Sequence, residues 1–322
     1  MSRSTSSSTQ RPGCAGPPRP LPAAGAGDGL QSIHRRRLLL AALAAGALPA
    51  AALADEPATP ARLGFALGSG ALHGYAHIGV VRACARLGIV PYAIAGTSVG
   101  AAVGALWSAG LDAAAILRVA RQLDWSPTAS ALLRRLLRGH RHNDALVSAI
   151  EHATGGRRIE QLPIRFAAAA SDLLDGEAVV LSSGPVAQAV AASSAVPVWF
   201  EPVRIDGREL VDGSLTAPVP VAAARLLGAQ RVVAVDVAYR PYEEKPSSWF
   251  DRLLQPLHIA TNALAREQTR SADFLLKLDL HHLMLDHFDP DALIDAGERA
   301  MLALAPALRA APPAPLTAPA PR

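Results

Sequence analysis

Ser98 lies at the centre of the pattern Gly96-Thr97-Ser98-Val99-Gly100, a spacing in which a serine can act as a nucleophile. The run from Pro91 to Ala95 predicts a buried strand before it, and the run from Ala101 to Trp107 predicts a tightly packed helix after it. Glycines two residues to either side remove side chains that would crowd the neighbouring strands. This nucleophile elbow would hold the hydroxyl above a helix N-terminus, which favours an oxyanion or a partly ionised serine. The same residues also fit a glycine-rich turn with a capping serine.

A second glycine-rich loop, from Gly68 to Gly74, lies between the predicted strand Phe65-Ala66-Leu67 and a predicted helix from Tyr75 to Leu87. Backbone N–H groups of Gly68, Ser69 and Gly70 could converge on a small anion, such as the oxyanion of an ester under attack. Such a loop could instead cradle a dinucleotide, but that function requires an acidic residue at the end of the second strand. That strand ends Ile94-Ala95-Gly96, so the pattern favours an oxyanion loop.

Asp212 is the candidate proton acceptor that a nucleophilic serine requires. It ends a predicted strand, precedes Gly213-Ser214, and is followed by a helical run to Leu227. Asp-Gly pairs are common loop signals, and Asp175-Gly176 and Asp206-Gly207 predict two-residue hairpin turns. Asp212 differs from these because its carboxylate can point back across a sheet edge.

Together these features resemble the bacterial patatin-like phospholipases, whose pattern is a glycine-rich loop, a Gly-x-Ser-x-Gly elbow and a later Asp-Gly motif. The segments Ala191 to Pro197 and Ser171 to Glu177 also resemble family segments, and the match covers roughly Arg62 to Val237. The resemblance implies a three-layer α/β/α patatin-like fold with a mostly parallel central sheet.

The same resemblance implies a serine acyl-ester hydrolase with a Ser-Asp dyad, acting on phospholipids or lysophospholipids without a cofactor. Ser98 would be the nucleophile and Asp212 the general base, with the oxyanion held by the N–H groups of Gly68, Ser69 and Gly70. Gly74, Gly96, Gly100 and Gly213 would fill the remaining motif positions. A carboxylate with a pKa of about 4 is a poor base for a hydroxyl, so we expect burial to raise that pKa.

Three positions depart from the family pattern. His73 stands where relatives usually carry Arg or Lys, which replaces a permanent charge with one that titrates near about pH 6.5. If that charge assists catalysis, activity should fall at alkaline pH. Ser214 replaces Gly or Ala, a small change that should fit, and Ala217 replaces an asparagine that would support Asp212.

Two other functions fit the chain. One is an α/β-hydrolase with a Ser-His-Asp triad drawn from Ser98, Asp236 and His281 or His282. The other is a patatin-like scaffold with a degenerate dyad that binds lipid or a partner without turnover. His77 is predicted to be a hydrogen-bonded core residue, and the remaining histidines lack metal-ligand spacing, which predicts no metal site.

Residues 1–54 resemble a twin-arginine export signal, with Arg35-Arg36-Arg37 before an apolar stretch and Ala52-Leu53-Ala54 at its end. This segment carries six Arg and one Asp, while the whole chain of 322 residues carries +4. The remainder is therefore close to neutral, and nucleic-acid binding loses its support. We expect a periplasmic protein, or one anchored to the inner membrane if the signal is not cleaved.

The rest of the chain predicts one catalytic domain over residues 62–237 and a helical extension over 238–311 packed on the same domain, followed by a disordered Pro/Ala tail over 312–322. Helices are predicted from Pro246 to Ser271 and from Pro290 to Ala311. A basic stretch with interleaved leucines, Arg134 to His142, is a solvated helix face or a peripheral contact with anionic lipid.

Overall fold

We analysed a computed structural model that describes residues 62–123, 143–238, 249–280 and 288–310. The predicted export segment, the basic stretch, the histidine pair at 281 and 282, and the C-terminal tail lie outside these residues. None of the helices in the described ranges combines the length and the apolar character needed to cross a membrane.

A central sheet organises the described part of the chain. Its strands, in chain order, are β1 (Leu63–Leu67), β2 (Ala93–Thr97), β3 (Arg165–Asp172), β4 (Ala178–Leu181), β5 (Val203–Ile205), β6 (Arg208–Asp212), β7 (Arg231–Asp236) and β8 (Phe274–Lys277). They lie side by side in the order β5-β6-β3-β2-β1-β7-β8, with β4 paired to β3. β3, β2, β1, β7 and β8 run parallel, whereas β4, β5 and β6 form antiparallel ladders. The sheet is therefore mostly parallel.

Helices cover both faces of this sheet. They are α1 (Tyr75–Leu87), α2 (Val99–Ser108), α3 (Ala113–Ala120), α4 (Asp144–Thr154), α5 (Val186–Ser193), α6 (Val221–Leu226), α7 (Trp249–Thr269) and α8 (Pro290–Ala310). Side chains from α1 to α5 and α8 pack with Phe65 and Leu67 on one face, and side chains from α6 and α7 pack with Ala66 on the other. Alternate residues of β1 thus face opposite helical layers, and the predicted three-layer α/β class is confirmed.

Glycines allow α8 to pack closely against α1. A Cβ at Gly79 would overlap the backbone of Ile294, and a Cβ at Gly297 would overlap the backbone of Ala76. Arg82 and Glu298 form an ion pair across the same contact. β8 and α8 therefore pack on the sheet and helices that carry the candidate site residues.

Most predicted boundaries lie within two residues of the observed ones, including both ends of α1. Asp206 and Gly207 form the two-residue turn between β5 and β6, both with positive φ, as that type of hairpin requires. The prediction for Asp175-Gly176 was wrong in length, because five residues, 173–177, connect β3 to β4. The longer loop is closed by the Asp172 carboxylate, which accepts the N–H of Leu174 at 2.9 Å.

Candidate active site

Ser98 occupies a strained turn between β2 and α2, with φ 56° and ψ −123°. This region is unfavourable for a residue with a Cβ and is common at functional sites. A Cβ at Gly96 would overlap the carbonyl of Gly100, and one at Gly100 would overlap the carbonyl of Leu67. Both glycines are therefore required for the turn to pack against the sheet, and the half-buried serine stands at the N-terminus of α2.

Asp212 ends β6 and is 1% exposed. One oxygen, Oδ1, accepts the N–H of Ser214 at 2.8 Å. The other, Oδ2, is buried and accepts no hydrogen bond of ordinary geometry from the described residues. Gly213 brings the turn onto β3, since a Cβ there would overlap the carbonyl of Ala169.

The side chains of Ser98 and Asp212 interact in the folded chain, although 114 positions separate them in the numbering. Burial raises the pKa of the Asp212 carboxyl, while its hydrogen bond to Ser214 and the interaction with the Ser98 side chain oppose that rise. The raised pKa makes the carboxylate a stronger base than aspartate in water, and Oδ2, which accepts no hydrogen bond of ordinary geometry from the described residues, can accept a proton.

Three side chains hold the Asp212 turn. The Ser171 hydroxyl donates to the Asp212 carbonyl at 2.9 Å, and the Thr97 hydroxyl donates to the Ala217 carbonyl at 2.6 Å. Gln268 of α7 donates to the carbonyl of Thr216 at 2.8 Å. The expected loss of support at Ala217 is therefore offset by contacts that sequence reasoning missed, because their partners lie far away along the chain.

The loop from Gly68 to Gly74 packs against the elbow, since a Cβ at Gly100 would overlap the Gly68 carbonyl, but two of its N–H groups are used differently from the prediction. Gly68 N–H donates to Val235 and Ser69 N–H donates to the carbonyl of Pro218, each at 2.9 Å. Both groups are thus engaged within the fold, which corrects the prediction that they are free oxyanion donors. Gly70 N–H has no acceptor among the described residues. Gly74 leaves room for the Val99 side chain, which a Cβ would overlap.

Ala71 follows Gly70 and carries strain of its own, with φ 46° and an exposed side chain. An L residue in this conformation costs roughly 1–2 kcal/mol, and glycine loses more chain entropy on folding, which offsets part of the gain. We expect Ala71→Gly to raise the free energy of unfolding by about 0.5–1 kcal/mol. Urea unfolding of both proteins measures this, and an equal or lower midpoint in the variant would contradict the assignment.

His77 supports the loop from Gly68 to Gly74. Its Nε2 donates to the Gly68 carbonyl at 2.8 Å, and the ring is fully buried. Burial lowers the pKa of His77 to about 4, so the ring is neutral at physiological pH. The predicted role as a hydrogen-bonded core histidine is confirmed. His73 is also buried, with its Nδ1 at 3.1 Å from the Val237 carbonyl.

The lowered pKa of His77 predicts acid sensitivity. In the unfolded chain the imidazole binds a proton as pH falls through about 6.5, whereas in the folded chain it binds one only near pH 4. Stability is therefore lost across this window, by about 3 kcal/mol from this group. His77→Gln should be less stable than wild type at pH 7 and should lose less stability between pH 7 and 4.5. Urea unfolding measures the free energy of unfolding of both proteins across this range. An equal loss in the wild type and the variant would contradict this account.

Sequence and structure comparisons relate this chain to known proteins. A family model described as patatin-like phospholipase matches residues 65–225. An uncharacterized NTE family protein of Mycobacterium tuberculosis is 36% identical over 198 residues, which cover 58% of this chain and 52% of that protein. Patatin-like phospholipase domain-containing protein 7 of Rattus norvegicus is 29% identical over 198 residues, covering 57% of this chain and 14% of that protein. The chain thus spans about half, or less, of the length of these relatives.

The solved structure of VipD from Legionella pneumophila aligns with a TM-score of 0.45 and 13% identity, covering 78% of this chain and 68% of VipD. Across the ranges that our structure describes, no group of three or more His, Cys, Asp or Glu side chains is placed to hold a metal ion.

Proposed function

This chain belongs to the patatin-like phospholipase family, and we propose that it cleaves acyl esters of phospholipids or lysophospholipids with Ser98 and Asp212 as its catalytic pair. The observation that carries this proposal is a buried carboxylate with a raised pKa, beside a half-buried serine on a strained elbow. Membership of this family supports a lipid acyl hydrolase.

In the proposed reaction, Asp212 accepts the Ser98 hydroxyl proton as the serine oxygen attacks the ester carbonyl carbon. The tetrahedral intermediate collapses to an acyl-serine, and the protonated carboxyl returns its proton to the departing alcohol. Water then attacks the acyl-serine while Asp212 takes a water proton, and Ser98 leaves with that proton as the fatty acid is released. These steps use protein groups and water alone.

Negative charge on the carbonyl oxygen needs donors that are free in the folded chain. We assign this role to the Gly70 N–H, assisted by the N-terminus of α2, where the positive end of the helix dipole lies. Gly68 and Ser69 act indirectly, since their N–H groups anchor the loop to Val235 and Pro218. One oxyanion donor contributes on the order of 3 kcal/mol in other serine hydrolases.

We also propose that the protein works on the lipids of the cell envelope after export, because residues 1–54 carry the twin-arginine pattern. The near-neutral remainder of the chain suits a lipid or acyl-ester substrate and gives no reason to expect nucleic acid.

Incubation of the purified protein with mixed phospholipid and lysophospholipid micelles tests the proposed function. We expect free fatty acid and the matching deacylated lipid in equal amounts, detected by mass spectrometry, and neither product with Ser98→Ala. A folded wild-type protein that binds the micelles without releasing fatty acid would instead favour the scaffold function.

A further inference from the structure

Ser193, the last residue of α5, is fully buried and lies directly beneath the elbow. Its hydroxyl oxygen accepts the backbone N–H of Ser98 at 2.9 Å and donates its own proton to the carbonyl of Ala169 at 2.6 Å. The Ser193 hydroxyl thereby connects the backbone amide of Ser98 to β3, because it accepts one hydrogen bond and donates another.

The segment Ser193–Ala195 also reaches the other half of the dyad. The carbonyl of Ala195 accepts the backbone N–H of Asp212 at 3.0 Å. Residues of β3 complete the connection, since Ala169 pairs with Thr97 and Ala170 pairs with Asp212 in the sheet. We call the pair Ser193 and Ala195 the dyad clamp, because the Ser193 hydroxyl holds the backbone of Ser98 and the Ala195 carbonyl holds the backbone of Asp212.

We propose that Ser193 is a positioning residue that sets the separation and orientation of the Ser98 hydroxyl and the Asp212 carboxylate. This inference rests on the proposed function. Ser193 contacts the backbone of the nucleophile and not the reacting atoms, so it acts through Ser98.

The strain at the elbow explains why an anchor is needed. The positive φ of Ser98 is held only as long as neighbouring groups favour it over relaxed backbone conformations. Without the Ser193 acceptor, the peptide group that carries the Ser98 N–H can rotate. The Ser98 hydroxyl then moves with the backbone. A misplacement of about 1 Å in a catalytic group can cost about 10²-fold in rate.

Ser194 provides a matched control. It is the next residue, it is 4% exposed, and its hydroxyl has no hydrogen-bond partner among the described residues. Ser193→Ala and Ser194→Ala thus remove the same atom at neighbouring buried positions, but only the first removes a contact with Ser98. Ser194→Ala should keep wild-type activity, because no contact of the dyad is lost.

The experiment measures kcat and KM for acyl-ester hydrolysis together with amide hydrogen exchange of Ser98. For Ser193→Ala we expect kcat to fall about 10- to 100-fold with KM within about 2-fold of wild type, since the clamp lies beneath the site. Exchange at Ser98 should become faster in this variant and stay unchanged in Ser194→Ala. If Ser193→Ala does not fold, Ser193→Cys retains most of the volume with a weak hydrogen-bonding group and should show the same losses.

Wild-type kcat with unchanged exchange at Ser98 in the folded Ser193 variant would overturn the inference. Equal losses of kcat in the Ser193 and Ser194 variants would overturn it as well, because they would indicate a general packing defect. The exchange measurement needs no turnover, so a protected Ser98 amide in the Ser193 variant overturns the anchor even if the wild type is inactive. If the wild type is inactive but the Ser98 amide exchanges faster in Ser193→Ala than in the wild type, the proposed function is wrong and the role of Ser193 as an anchor stands.

Discussion

Asp212→Asn is expected to lower kcat/KM by about 10³-fold or more while making the protein more stable at pH 7. The amide cannot accept the Ser98 proton, yet it has nearly the same shape and can still accept the Ser214 N–H at Oδ1. The folded-state pKa of Asp212 lies above its value in the unfolded chain. The stability this carboxyl contributes when protonated is therefore lost as pH rises through the two pKa values, and a neutral amide avoids that loss.

Initial rates and thermal unfolding at pH 7, on the same preparations, measure both halves of this prediction. Asp236→Asn is the matched control, because Asp236 is a buried aspartate at the end of β7 and its Oδ1 accepts the Ala238 N–H at 3.0 Å. Near-normal activity is expected for this control. If Asp236→Asn were inactive and Asp212→Asn active, the triad alternative with Asp236 as its acid would gain support.

Replacing Ser98 should abolish turnover whichever small residue is used, whereas the effect on stability should depend on that residue. Ser98→Ala retains a Cβ in the strained conformation, so its stability should stay close to wild type. Ser98→Gly removes a strain of about 1–3 kcal/mol and adds a smaller entropic cost of folding. We expect the glycine variant to be more stable than the alanine variant by about 1 kcal/mol, and both to lose at least about 10⁴-fold in kcat.

Urea unfolding compares the stability of the two variants, and hydrolysis assays measure the kcat of each. Equal stability of the two would mean that the elbow stores no strain. Residual turnover above about one hundredth of wild type in either variant would mean that another group is the nucleophile.

The elements nearest the site could be predicted because their signals are local. Glycines around Ser98 predict the elbow, and the ends of α1 follow from the loop before Tyr75 and from Gly88, which takes the left-handed conformation after Leu87. The pairing of Ser98 with Asp212 was predicted from the family motifs, since nothing in the residues between them indicates that contact.

Contacts between distant backbone groups could not be predicted. The N–H groups of Gly68 and Ser69 look free in the sequence, but Val235 and Pro218 supply their acceptors more than a hundred residues later. Ser193 and Ser194 look equivalent as neighbouring serines, and only the fold distinguishes them, because one hydroxyl meets the elbow and the other meets no partner among the described residues.

Labelling with a fluorophosphonate, followed by peptide mapping, tests the central claim most directly, because the probe reacts with a serine that its surroundings have activated. We predict a single adduct on Ser98 in the wild type, much slower labelling in Asp212→Asn, and no labelling in Ser98→Ala. An unlabelled but folded wild type, or an adduct on a different serine, would contradict the account.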